Sequence, residues 1–246
     1  MNKQDVIVTA FACGGKMKCR KEAEKFKEPP IILNVPGGSI EGFVKTAQTF
    51  RAKNSVLDNF FASRRELKKI QPRRVCIVSF SDGDAWTTSV LRANKDIKRI
   101  DTAIVMDGVH THNLKAWIDF AKLAAVGENA PKLWLAHTQL TKKTNAKIVE
   151  KVNNTNNQQI IIPDYIKNAQ IENSISVYSK TERPKHKLYH IDPLCSFESF
   201  GNVARFEYDG NKEQDQIYNA QYTQPRFWQW LREIWADPTT GVFWSN

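Results

Sequence analysis

Residues 75–86 read Val75-Cys76-Ile77-Val78-Ser79-Phe80-Ser81-Asp82-Gly83-Asp84-Ala85-Trp86. The apolar run that opens this stretch is the pattern of a buried strand, and the Ser-Asp-Gly-Asp that closes it reads as a tight turn into a helix. Ser81 stands at the apex, with the small residues Ser79 and Gly83 two positions to either side. A turn this sharp holds its central residue in a strained backbone conformation. Only small flanking side chains let strand and helix approach closely enough to make it. Ser81 is therefore expected to point outward at a helix N-terminus, where backbone amides favour a developing negative charge.

The same pattern recurs on both sides of this stretch. Short runs rich in branched and aromatic residues predict strands over Asp5 to Ala12, Pro30 to Val35, Arg74 to Phe80, Asp101 to Met106, Lys132 to Ala136 and Asn202 to Tyr208. Helical spacing fills several of the gaps: Gly42 to Lys69, Ala85 to Ala93, Leu114 to Val126 and Lys142 to Val152. Near-continuous apolar strands alternating with amphipathic helices imply an α/β fold, a mostly parallel sheet flanked by helices on both faces. The 246 residues are read as one domain. Residues 139–201, rich in Asn, Gln and Lys, are too long for a simple connection and read as an insertion or lid-like segment before the last strand. At the C-terminus, Phe227, Trp230, Leu231 and Ile234 share one helical stripe over Pro225 to Trp235, a face that packs on the sheet.

With 41% hydrophobic and 25% charged residues the chain has ordinary globular proportions, which excludes disorder, collagen and coiled coil. No run approaches the roughly 18 consecutive apolar residues of a membrane helix, so no membrane span is expected. Lys3 is the only early base, and the apolar start reads as a first strand, which points to a cytoplasmic protein. Cys13, Cys19, Cys76 and Cys195 are scattered without a C-x-x-C pair, so neither a zinc site nor a disulfide framework is indicated. The formal charge of +10 favours anionic partners, but the bases are spread out and no base-reading motif accompanies them, which argues against nucleic acid. Gly14-Gly15-Lys16 lacks the spacing of a phosphate-binding loop, so no nucleotide, metal or other cofactor is expected.

Through Ser79-x-Ser81-x-Gly83 in its strand-turn-helix setting, the chain resembles the α/β-hydrolase superfamily. The family usually has glycine where Ser79 stands. The resemblance implies a three-layer sandwich and a nucleophilic Ser81. It also implies an oxyanion hole from the amide of Asp82 and an amide of the Pro36-Gly37-Gly38-Ser39 turn, with Gly38 as donor and Gly37 lining the substrate site. Asp107, at the end of the strand after the elbow helix, is the candidate acid, although the family more often places it after the following strand. The loop after the last strand, roughly Asp209 to Tyr218, contains no histidine, and Gln216 cannot act as a base. His110, which comes shortly after Asp107, and His137, which closes the strand from Lys132, are the alternative bases because parallel strands end on one edge.

These residues lead to an esterase-type serine hydrolase acting on a small-molecule, glycan or lipid ester, with the basic surface pointing to an anionic one. The competing expectation is a catalytically silent hydrolase-like binding or structural module, motivated by the missing histidine. A doubly wound nucleotide-binding protein shares the sheet but not the phosphate loop.

Overall fold

The computed structural model describes residues 2–11, 23–52, 54–106, 108–124, 130–137, 141–153, 194–200 and 203–208. Seven strands form one sheet: β1 (Asn2–Phe11), β2 (Ile31–Asn34), β3 (Ile70–Phe80), β4 (Thr102–Met106), β5 (Lys132–His137), β6 (Leu194–Phe200) and β7 (Val203–Tyr208). Their order is β2-β1-β3-β4-β5-β7-β6, and every neighbouring pair is parallel except the edge hairpin of β6 and β7. The α/β class and the mostly parallel sheet are thus as the sequence implies. The hairpin is new. Strand β6 and the crossover helix Lys142–Asn153 both fall within the expected insertion, and residues 154–193 of that segment lie outside the described residues.

The helices are α1 (Ile40–Phe50), α2 (Leu57–Ala62), α3 (Asp84–Leu91), α4 (Asn94–Ile97), α5 (Leu114–Ala124) and α6 (Lys142–Asn153). The long helical spacing expected over residues 42–69 is divided, because the chain becomes extended at Arg51 and takes a positive φ of 60° at Asn54 before α2 begins. Val56 at the start of α2 has no side chain able to cap a helix. Asp96 does so from across the chain, accepting hydrogen bonds from Ser55 Oγ at 2.5 Å, Val56 N at 2.5 Å and Leu57 N at 3.1 Å.

Strand alternation sorts the core. Val6, Val8 and Ala10 of β1, Ile77 of β3, Val105 of β4 and Leu135 of β5 join Phe43, Phe60, Trp86, Trp117, Phe120 and Ile148 of the helices in one cluster. The described helices therefore cover one face. Strand residues pointing the other way, among them Ile7, Val78, Ile104 and Trp134, are buried as well. The expected helix layer on that second face, like the C-terminal helix Pro225 to Trp235, falls outside the described residues.

Parallel pairing aligns the strand exits. Phe11, Phe80, Met106, Ala136 and Phe206 form one row of partners across β1, β3, β4, β5 and β7. The strands therefore exit on a single edge of the sheet, where Ser81 follows Phe80. Asp5 anchors β1 to β3 at the opposite edge through Arg73 Nε at 2.8 Å and Arg74 Nη2 at 2.5 Å.

Candidate active site at the exit of β3

Strand β3 ends at Phe80 and α3 begins at Asp84, leaving the single 3-10 turn Ser81–Gly83 to reverse the chain. Ser81 takes a φ of 48°, one of two positive-φ non-glycine residues among those described. A non-glycine residue in this region carries roughly 1 kcal/mol or more of backbone strain. Gly83 shows why the turn has no alternative: a Cβ there would lie 1.7 Å from the carbonyl oxygen of Ala10 in the adjacent strand. Glycine is required for the elbow to press against β1. Ser79, fully buried two residues before the apex, directs its Oγ at the carbonyl of Ile104 in β4, 3.5 Å away. Ser81 itself is half-buried, and its Oγ takes no hydrogen-bond partner from the described residues.

On the other side the exit of β4 closes over the turn. A Cβ on Gly108 would be 3.0 Å from the Ser81 carbonyl oxygen and 3.0 Å from Asp84 Cβ, so this loop is packed directly on the elbow. Two further bonds pin it. Thr144 Oγ1 of α6 donates to Val109 O at 2.6 Å, and Asn113 Nδ2 donates to Asp84 Oδ2 at 2.7 Å. His110 lies between these anchors, half-buried, its ring stacked on that of His112 with centroids 5.9 Å apart. Asp107 lies outside the described residues.

The remaining expected residues are placed by strand order. The backbone of His137 closes β5, two strands from β3, which corresponds to roughly 10 Å at the usual strand spacing. Its register partner is Glu207 of β7. Gly37 and Gly38 lie on the exit of edge strand β2, whereas the strand beside β3 is β1. Gly37 has a packing reason for being glycine, since a Cβ would meet the Phe43 ring at 2.3 Å, and Ser39 next to Gly38 caps α1 by accepting from Gly42 N. Helix α1 in turn packs on the Ser81–Gly83 turn and on α3, which keeps this loop in the neighbourhood of the elbow. Asp82, whose amide comes directly after the apex, is half-buried. Gln216, His186, His190 and Gly14 to Lys16 lie outside the described residues.

Sequence reasoning missed Asp84. It is fully buried, and its carboxylate accepts from Trp117 Nε1 at 2.6 Å, Asn113 Nδ2 at 2.7 Å and Thr88 Oγ1 at 3.3 Å. Burial pushes this carboxyl up to about 7, against the pull of those three hydrogen bonds and of the Arg92 charge. Nothing in the string Ser81-Asp82-Gly83-Asp84 separates a buried aspartate from its half-buried neighbour, because the partners come from 29 and 33 residues away.

A groove of about 500 Å3 runs beside the elbow between α1 and α3, with Ile40, Val44, Arg51, Ala85, Arg92 and His112 among its walls; Ser81 is not one of them. Among the described residues no three His, Cys, Asp or Glu side chains gather as metal ligands, and no helix is long and apolar enough to cross a membrane. Compared with protein-family models, curated proteins and solved structures, the chain finds no match.

Proposed function

We propose that this chain is an α/β-hydrolase-like serine hydrolase that cleaves an acyl ester through a covalent intermediate on Ser81. The observation that carries the reading is the strained φ of 48° at Ser81, in a turn that only Gly83 allows to sit against β1. Strain of this kind persists where the surroundings impose it, and here it falls on a serine at the edge where the strands end.

In this mechanism Ser81 Oγ attacks the ester carbonyl as its proton passes to a histidine. The amide of Asp82 would stabilise the developing oxyanion, with Gly38, whose loop leads into the helix α1 that packs on the elbow, as the second donor. Collapse returns the proton to the leaving alcohol, and water then releases the acyl group by the same steps in reverse order. His110 is the preferred base, since its loop packs on the elbow whereas the His137 backbone belongs to a strand two removed. Asp107, next to Gly108 in the chain, would orient the ring. The charge of +10 supports an anionic ester.

A second reading is a silent scaffold with the same fold, favoured by the sequence Asp209 to Ile217, which has no histidine and places Gln216 there. Turnover of p-nitrophenyl acetate separates the two. The hydrolase reading expects activity in the parent that drops at least 100-fold in Ser81→Ala, while a parent without turnover that gains it in Gln216→His identifies the silent scaffold.

A further inference from the structure

Asp84 joins two segments that the proposed chemistry must hold together. It is the first residue of α3, directly after the elbow, yet two of its three hydrogen-bond donors belong to the chain beyond β4: Asn113, at the end of the 3-10 turn Thr111–Asn113, and Trp117, one turn into α5. Thr88, on α3, supplies the third. Asn113 is held at its other side too, its backbone N donating to His110 O at 3.0 Å. A continuous path of short contacts therefore runs from the elbow through the Asp84 carboxylate to the residue that carries the candidate base. No Lys or Arg forms a salt bridge with Asp84 among the described residues, and its side chain is 0% exposed.

A carboxyl group suits this place because its two oxygens together receive an indole N–H, an amide N–H and a hydroxyl. An apolar residue of similar size would leave the buried Asn113 and Trp117 donors unpaired. A buried carboxylate without a cation costs stability, and such groups persist where they fix geometry.

We propose that Asp84 is a positioning residue for the Ser81 chemistry, holding the Gly108–Asn113 loop, and with it the His110 ring, in a fixed relation to the elbow. The proposal rests on the hydrolase reading for its catalytic consequence, but the tether itself is measurable without turnover.

The test compares Asp84→Ala, Asp84→Asn and Asn113→Ala with the parent in the full chain, using p-nitrophenyl acetate kinetics and the ring resonances of His110 in an isotope-labelled sample. Asp84→Asn keeps the tether if the Asn113 amide turns over. The new Oδ1 then accepts from Trp117 and Thr88, and its NH2 donates to Asn113. The expected result is a kcat at least tenfold lower in Asp84→Ala with KM within twofold, and recovery to within threefold of the parent in Asp84→Asn. Asn113→Ala, which cuts one of the two links to the chain beyond β4, should lie between them and takes over as the test if Asp84→Ala does not fold. His110 resonances should move in Asp84→Ala and return in Asp84→Asn. An unchanged kcat in folded Asp84→Ala, or an Asp84→Asn as impaired as Asp84→Ala, overturns the proposal. Turnover that survives Ser81→Ala removes the nucleophile, not the tether. In that case, or where the parent has no turnover, His110 resonances unchanged by both Asp84→Ala and Asn113→Ala refute the tether, and their displacement with recovery in Asp84→Asn supports it.

Discussion

Ser81 and Gly83 divide the work of the elbow between strain and space. Ser81 occupies a backbone region where glycine is at ease and serine is not, so Ser81→Gly should be about 1 kcal/mol more stable than Ser81→Ala, both lacking the hydroxyl. Urea unfolding of the two variants measures the difference, and equal stabilities would mean that the φ of Ser81 is not strained in solution. Gly83→Ala acts the other way. Its methyl would collide with backbone, not with a movable side chain, so a loss on the order of 3 kcal/mol or outright failure to fold is expected from the same measurement. Both effects were legible in the sequence, since a serine flanked by small residues at the end of an apolar run is what such a bend demands. The hidden part was Asp84, whose role depends on Asn113 and Trp117 meeting it in space.

Helix α3 begins with that buried carboxyl, and its pH response derives from the upward displacement. Between the ordinary carboxyl range and about 7 the folded chain holds a proton that the unfolded chain has released, so stability is fully present at low pH and declines as pH rises through 7. Asp84→Asn has no such titration. The stability of Asp84→Asn relative to the parent should therefore grow by on the order of 2–4 kcal/mol from pH 4 to pH 8, read from chemical denaturation at each pH. A difference independent of pH would show that Asp84 is not displaced. Helix α2 depends in a comparable way on a side chain far along the sequence: with Asp96 removed, Ser55 Oγ and the amides of Val56 and Leu57 lose their acceptor. Asp96→Ala should cost on the order of 2–4 kcal/mol. The division of the helical spacing after Gly42 into α1 and α2 was not legible, because it depends on this long-range cap and on the positive φ of Asn54.

Across the whole sheet, the proposed site and the anchoring sit on opposite edges. Ser81, Gly108 and His110 belong to the edge where the strands exit, while Asp5, Arg73 and Arg74 tie β1 to β3 near where they enter. Burial pushes the Asp5 carboxyl up, but hydrogen bonds and charge from Arg73 and Arg74 outweigh it and hold the group below the ordinary range. Its contribution is present above that range and is lost as pH falls through the lowered value. Asp5→Asn should therefore destabilise the fold by roughly 1–3 kcal/mol at neutral pH and leave the reactivity of Ser81 unchanged in the folded fraction. A change in reactivity would mean that the two edges are coupled. Parallel strands announced themselves by their unbroken apolar runs, and with them the α/β class. The β6–β7 hairpin did not, because Leu194-Cys195-Ser196-Phe197-Glu198-Ser199-Phe200 interleaves polar residues as a sheet edge does, although the Gly201-Asn202 pair between the two strands was a usable turn signal. Strand order was beyond reach of the sequence. It makes β1 the neighbour of β3 and sets His137 two strands from the elbow.

The most direct measurement is covalent capture. Incubation with a fluorophosphonate, followed by intact-mass analysis and peptide mapping, should yield a single phosphonyl adduct on the peptide containing Ser81, absent from Ser81→Ala. An adduct that persists in Ser81→Ala, or a folded parent that acquires none, contradicts a nucleophile at the exit of β3.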